Sequence, residues 1–298
     1  MNSSIKNSGT KKTIGCILIL YNPDIDLIKA VTHSVVGQVD AVFIADNSAV
    51  SHHSLFELLG ENAIYRKMTG NIGIAAAQNE GIQYFQKEGF THLFFLDQDS
   101  ILTPGLVQQL VKDLESLEKK NILVGGISAR PYNRESEKKY QASVTKGKSY
   151  SDSLTEIGEI MNSASLISVN NFEKVGLFDE SLFIDGVDHE WCWRAKSKKS
   201  LRFFISEKTK LSHFLGEGDR FFLFRKVAIP TPFRAYYQYR NYFILVRRDY
   251  VPTYWKFKNG IKYFIKLIYY PLFIKPRKEF RTAIFKGIKD GINAIRSL

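Results

Sequence analysis

Leu93-Phe94-Phe95-Leu96-Asp97-Gln98-Asp99 is a short apolar run that ends in two carboxylates one residue apart. The run has the composition of a strand buried on both faces. Acids at its carboxyl end stand where open parallel sheets bind their ligands. Two such carboxylates can share the work of holding a divalent cation, because hard cations take oxygen ligands, and of holding a sugar hydroxyl. The same residues can equally end the strand and lead into a helix, with Thr103 as N-cap and Pro104 at the first helical position. The spacing permits both readings.

Working outward, Ile14 to Leu20 is a second apolar, β-prone run, and residues 24–36 follow with helical spacing at Ile25, Ile28, Val31 and Val35. The alternation continues through Ala41-Val42-Phe43-Ile44-Ala45, a short helix near Leu55, a strand at Ala63-Ile64-Tyr65 and a helix from Ile74 to Gln86. Repeated strand–helix units with apolar strands predict a parallel sheet covered by helices. Downstream the pattern predicts a helix at 106–117, a strand at 122–126, a loop or hairpin excursion over 131–155, a strand at 164–169 and a helix near Phe172. An acidic cluster at 185–190 leads into a helix over 191–196, a strand begins at Leu201, and helices dominate past Arg220. There is no internal repeat.

The 298 residues are 44% hydrophobic, enough for one large core or two smaller ones. Cys16 and Cys192 offer neither a disulfide framework nor a metal pair, which suits a reducing compartment. The first dozen residues are polar and lack the apolar core of a secretory signal, so a loose tail (1–12) in a cytoplasmic protein is expected. The net charge of +12 is uneven: from Arg220 onward there are 18 Lys+Arg against three acids, with 20 of the chain's 40 aromatic residues. The stretch from Ile261 to Ile274 is too short and too charged to span a bilayer. Lys258, Lys262 and Lys266 recur every four residues while Ile261, Phe264, Ile265 and Ile268 fill the other side, the pattern of an amphipathic surface helix. An anionic membrane surface is the first-ranked partner, and packing against the protein's own domain is the second. Nucleic acid is ranked a distant third and is not expected as a partner. The apolar face could also bury a homodimer contact.

Ligands of such sheets meet the loops after successive strands: Tyr21-Asn22-Pro23, Asp46-Asn47-Ser48, Gly70-Asn71-Ile72-Gly73 and Asp97-Gln98-Asp99. Their short polar side chains and glycines allow hydrogen bonding and close backbone approach. No glycine-rich dinucleotide fingerprint or phosphate-loop motif occurs there. That argues against a dinucleotide enzyme and a phosphate-loop nucleotidase. His52 and His53 show no second ligand at metal spacing.

The ordered set Ile19-Leu20-Tyr21-Asn22, Ala45-Asp46-Asn47-Ser48, Asn71 to Gly81, Phe95-Leu96-Asp97-Gln98-Asp99 and Asp188 to Arg194 resembles glycosyltransferase family 2, within it the bacterial rhamnosyltransferases. The resemblance covers roughly residues 14–250. It implies a glycosyltransferase-A fold: an α/β, mainly parallel Rossmann-like sheet flanked by helices, with a C-terminal helical segment. It also implies an inverting mechanism, a nucleotide-diphosphate-sugar donor and a divalent cation, Mg²⁺ or Mn²⁺. Residues 13–219 would form the catalytic domain, 13–110 its nucleotide-sugar half and 111–219 its acceptor half, with 220–298 a basic aromatic helical region. By the same resemblance Tyr21, Asn22 and Asp46 line the nucleoside, Asn71, Gly73 and Asn79 organise the donor-side loop and helix, and Asp97 contacts ribose or sugar. Asp99 ligates the metal, His213 can reach it, and Arg240 can hold a phosphate. The family often has Glu where this chain has Val187.

Inverting transfer needs a base on the acceptor side and positive charge at the departing diphosphate. Asp188, after the turn signal Asp185-Gly186 and at a helix start that favours its ionised form, is the first candidate base, with Glu190 the second. Two positions apart, the two acids face different sides of a helix. The expectation is therefore an L-rhamnosyltransferase using a dTDP-sugar and a lipid-linked saccharide acceptor, peripheral at the inner face of the cell membrane. A UDP-sugar enzyme and a non-catalytic sugar-binding module are the alternatives. A nucleotidyltransferase would need a glycine- and lysine-rich loop that residues 21–24 lack.

Overall fold

The structure, a computed structural model, describes residues 12–56, 61–133, 147–213, 219–222 and 225–296, with side chains at 12–56, 61–131, 147–211 and 229–294. β1 (Ile14–Leu20) is central, flanked by β2 (Ala41–Asp46) and β4 (His92–Asp97), and β3 (Ala63–Lys67) lies outside β2. These four strands are parallel. Their crossovers carry α1 (Ile25–Val35), which Asp24 caps through Asp26 and Leu27, and α2 (Ile74–Lys87). The sheet continues past β4 through β8 (Ser165–Ser168), β5 (Val124–Asn133), β9 (Arg202–His213) and the hairpin β7 (Leu154–Ile157) and β6 (Lys148–Ser151). Only β8 and β7 run against the rest, as their antiparallel pairings show, so the nine-stranded sheet is mixed but predominantly parallel.

Strand side chains alternate between two cores, as the pleat requires. Cys16, Leu18 and Leu20 of β1 pack with α1 and α3 (Leu106–Glu118), whereas Ile17 packs with α2, α4 (Val169–Val175) and α5 (Val187–Lys199). The segment after residue 220 is not helical throughout: β10 (Asp219–Phe222) and β11 (Arg225–Ala228) form a hairpin before α6 (Pro232–Val246), α7 (Thr253–Phe273) and α8 (Arg277–Arg296). α6 serves two cores. Its Ile244 and Leu245 join the cluster around Trp191, while its Ala235 and Tyr239 join Tyr270, Ile274, Phe280 and Ile284 in a separate helical core.

The cap that the second reading of Asp97-Gln98-Asp99 places at Thr103 is not formed. Gly105, in the left-handed region, immediately precedes α3, and the Thr103 carbonyl accepts from Leu106 N at 3.2 Å, so Thr103-Pro104-Gly105 is a turn. The fifth strand starts at Val124, two residues later than expected, and runs on to Asn133. Among the described residues no helix is long and apolar enough to cross a membrane.

Candidate active site at the carboxyl edge of the sheet

The register places the ends of β1, β2 and β4 side by side, with Leu20 opposite Asp46 and Ile19 opposite Asp97. β8 starts at the same edge, because Ser165 pairs with Phe95 and Ala164 N donates to the Phe95 carbonyl at 2.8 Å. The turn before β8 therefore braces the acidic loop. Asp97 N donates to Ser163 Oγ at 3.3 Å, Ser163 Oγ lies 3.1 Å from the fully buried Ser100 Oγ, and Ser100 donates to Asp99 Oδ1 at 3.5 Å. Gln98 clamps the neighbouring loop, accepting from Tyr21 N at 2.8 Å and donating to Tyr21 O at 3.2 Å. Asp97 and Asp99 stay half-buried at the mouth, and Tyr21 stands half-exposed beside them, a flat face on which a nucleobase can stack. Asn22, at φ 45°, donates its N–H to Ser48 Oγ at 2.8 Å, tying the first loop to the second.

Asp46 sits differently. It has no exposed surface, and its carboxylate accepts from Ser48 N (2.9 Å), Tyr65 OH (2.5 Å) and His52 N (3.2 Å), with His52 Nδ1 at 2.9 Å. Burial works against the ionised form, but the bonds from Ser48, Tyr65 and His52 outweigh it and hold the carboxyl below its ordinary range. Here Asp46 fixes the loop after β2 from within. Lys67 closes the same loop by donating to the carbonyls of Ser48 and, at 3.0 Å, Met68.

At the start of α2, Asn71 Oδ1 accepts from Gly73 N at 3.1 Å, and Asn71 itself is exposed. Gly73 has φ 87°, and a Cβ there would lie 2.6 Å from the Phe183 ring, so only glycine fits. Ile74 N then donates to Phe183 O at 2.8 Å. Asn79 is buried and bonded to Phe178 N and O and to Glu180 Oε1, which pins the 178–183 segment to α2.

That segment leads to the second acidic group. Asp185 (φ 65°) and Gly186 (φ 90°) turn the chain into α5, whose first turn holds the half-buried Asp188. Its Oδ1 accepts from His189 N at 2.8 Å. Glu190 faces the other way, as its spacing predicts. It is fully buried, with Arg194 Nε at 2.8 Å, Arg248 Nη1 at 3.1 Å and Tyr250 OH at 2.5 Å on Oε1, and Arg194 Nη2 at 3.1 Å on Oε2. A carboxylate so enclosed presents no lone pair to an acceptor hydroxyl, which corrects its expected place beside Asp188.

Three residues to which the sequence alone gives no role shape the site: Gln98, Asn241 and Arg234. The Asn241 amide donates to the carbonyls of Leu182 (2.8 Å), Ile184 (2.7 Å) and Asp185 (2.9 Å), so it ties the acidic turn to α6. Arg240, its neighbour, donates to Asn241 Oδ1 at 3.1 Å and lies 5.8 Å above the Tyr237 ring. Arg234 donates to Asp185 at 2.5 Å. That bond raises its pKa, and the more distant charges of Asp97 and Asp188 act in the same direction.

A divalent cation would find two hard oxygen donors in Asp97 and Asp99. Among the described residues no third His, Cys, Asp or Glu completes a set with them. Two carboxylates suit a Mg²⁺-type ion that fills its remaining positions with substrate phosphates and water. His213 ends β9, paired with Asn133, and its side chain lies outside the described residues.

The sequence model of Glycosyl transferase family 2 matches residues 16–176, from β1 to the end of α4. The chain belongs to this family. The glycosyltransferase match contains the loops of the sheet edge and stops before Asp188, Arg234 and Asn241. A dTDP-rhamnosyl transferase, RfbF of Shigella flexneri, is 27% identical over 305 aligned positions, covering 96% of each chain. Among solved structures, S. aureus TarS 1-349 in complex with UDP-GlcNAc superposes with a TM-score of 0.59 at 14% identity, over 95% of this chain and 81% of that one. GalNAc-T7 with UDP, GalNAc and Mn²⁺ gives 0.55 at 13% identity over 88% of this chain, which spans only 57% of that protein. These structural likenesses establish the glycosyltransferase-A fold.

Proposed function

We propose that this glycosyltransferase moves L-rhamnose from dTDP-L-rhamnose, with inversion, to a lipid-linked cell-surface saccharide at the cytoplasmic face of the membrane. The full-length similarity to a dTDP-rhamnosyl transferase supports the donor. The observation that carries the chemistry is that Arg234 pairs with Asp185 in the turn leading to Asp188, while Asp97 and Asp99 end the neighbouring sheet edge. In this reading Tyr21 and the loop that Asp46 holds receive the nucleoside, and Asp97 takes a ribose or sugar hydroxyl. Gly73 shapes the entry to α2, and the exposed Asn71 beside it is offered to the donor. Asp188 accepts the proton of the acceptor hydroxyl as its oxygen bonds to the anomeric carbon and the bond to the diphosphate breaks on the opposite face. Arg234, held by Asp185, steadies charge at that junction. A Mg²⁺ or Mn²⁺ ion held by Asp99 would neutralise charge on the leaving diphosphate.

α7 supports the membrane location. Phe257, Ile261, Phe264, Ile268 and Leu272, spaced three and four apart, are all more than half exposed, and the exposed Lys258 and Lys262 border them. The helix contains no acid. Vesicle flotation checks this: retention on phosphatidylglycerol and none on phosphatidylcholine at low salt is expected, and equal binding to both would refute anionic docking. A second copy seated on the stripe would appear instead as a dimer in light scattering.

The chemistry is tested with Asp188→Asn. Transfer should fall at least about 10³-fold, the order expected on removal of a general base, while thermal stabilisation by dTDP and Mg²⁺ persists. Retention of most activity would remove Asp188 from the base role. Stabilisation by UDP in preference to dTDP would remove the rhamnose donor.

A further inference from the structure

α6 and α8 cross at close range and then splay. A Cβ on Gly287 would lie 2.4 Å from Tyr236 O, and one on Gly291 2.7 Å from Arg240 O, so the glycines let the helices touch backbone to backbone. Towards the start of both helices the gap opens into a groove of about 710 Å³. Its α6 wall is Phe233, Tyr236 and Tyr237, and its α8 wall carries Lys278, Arg281 and Lys286 against one acid, Glu279.

The aromatic wall is also the back of the active site. Tyr237 stacks on Phe183 with ring centroids 4.7 Å apart and planes within 8°, and Phe233 meets Phe183 edge-on at 6.1 Å. Phe183 is the residue whose carbonyl holds the start of α2, and Arg234, between the two groove aromatics, pairs with Asp185. Phe183 and Arg234 therefore join the groove wall to the acidic turn. The floor is rigid, since Tyr236 OH donates to Asp290 at 2.8 Å and Lys286 lies 5.7 Å from the Tyr236 ring. Lys278 and Arg281 make no ion pair among the described residues. Flat aromatic faces suit the C–H faces of sugar rings, and uncompensated Lys and Arg suit phosphate oxygens.

We infer that the α6–α8 groove is the acceptor site, and that it takes a saccharide bearing a phosphate or diphosphate ester. The sugar lies on the half-exposed Phe233, its reacting hydroxyl directed past Phe183 towards Asp188, and Lys278, Arg281 and Lys286 hold the ester. This rests on the transferase reading above and adds to it where the acceptor lies and which of its groups is recognised.

The experiment compares two synthetic probes, an undecyl diphosphate glycoside and the undecyl glycoside without the diphosphate, binding to the full chain in the presence and absence of dTDP. The wild type should bind the diphosphate glycoside at least 10-fold more tightly, with or without dTDP. Lys278→Gln, Arg281→Gln and Lys286→Gln combined should erase that preference and leave dTDP affinity unchanged, which also shows that the variant is folded. Phe233→Ala should weaken both glycosides by the same factor. A preference that survives the triple substitution, or one that dTDP competes away, would overturn the groove as the acceptor site. Failure of the wild type to bind dTDP would count against the donor assignment alone, since the probe comparison without dTDP still reads the groove.

Discussion

At the carboxyl edge of the sheet and along α7 the usual sorting of side chains is reversed, in opposite senses. At the sheet edge polar groups are inside: Asp46, Ser48, Asn79, Ser100 and Glu190 are buried, each engaged by neighbours from other elements. Along α7 apolar groups are outside, with Phe257 71% and Phe264 64% exposed. A buried polar group is tolerated when every lone pair is met, so the first region fixes geometry. An exposed apolar stripe loses free energy to water with no structural return, so the second region is shaped for something beyond the folded chain. Substitutions at the edge should therefore damage the fold, and substitutions along α7 should not.

The largest effect should come from Glu190→Ala, which leaves Arg194 and Arg248 without their shared carboxylate. A loss of about 3–5 kcal/mol is expected in urea unfolding, the range for breaking a buried ion pair. The rate per folded molecule should stay within about three-fold if, as proposed, Asp188 and not Glu190 is the base. Normal stability with no activity would place Glu190 in the chemistry and erase the distinction between the two acids.

His92, at the opposite end of β4, provides a pH test of buried polarity without a ligand. Burial, aided by the charge of Lys12, pushes its pKa down to about 4, and its Nε2 has no partner among the described residues. The folded state resists protonation and the unfolded state does not, so stability is complete above about pH 6.5 and declines as the pH falls towards 4. The linked loss is about 3 kcal/mol, because each tenfold difference in proton affinity between the unfolded and folded states is worth about 1.4 kcal/mol. Unfolding free energies at pH 7 and pH 4.5 should show most of that fall, and His92→Gln should flatten it. An equal slope in the variant would assign the acid sensitivity elsewhere.

A smaller effect is expected of Asn241→Ala. Three carbonyls of residues 182–185 lose the amide donor, Leu182 keeping only Ile184 N, at a cost of about 1–3 kcal/mol for groups left unsatisfied. The turn that delivers Asp188 then loosens, so kcat should fall more than dTDP affinity. Equal losses in both would mean that the amide serves the donor pocket directly.

Smallest in stability, and most informative about the comparison, is Phe264→Glu with Ile268→Glu. Both positions are open to solvent, so unfolding should change by no more than about 0.5 kcal/mol. Binding to anionic vesicles should disappear. Substantial destabilisation would show that the stripe is part of the fold.

Much of the first region was legible in the sequence. Continuous apolar runs at 14–20, 41–45 and 93–96 can only be strands buried on both faces, and the polar residues that follow them had to gather at one edge once the strands were parallel. Their partners were not legible. Gln98 reaches Tyr21, Asn241 reaches Leu182, and Asn79 reaches Phe178, each across 59 or more positions of chain, and no local pattern encodes such a pairing. The cap expected at Thr103 failed for a local reason, because Gly105 adopts a left-handed turn that Thr103-Pro104 do not reveal.

The amino-acid sequence by itself determined the family, the sheet and its helices, and the acids available for transfer, since periodicity and residue chemistry are local properties. Which acid faces the site was decided only by tertiary structure, because Asp188 and Glu190 differ in what packs around them rather than in what they are. The same holds for α7. Its amphipathic pattern fixes that one face is apolar and cannot say which way that face turns; packing of Tyr263 and Tyr270 against α6 and α8, with Lys266 drawn in beside their rings, turned it outward.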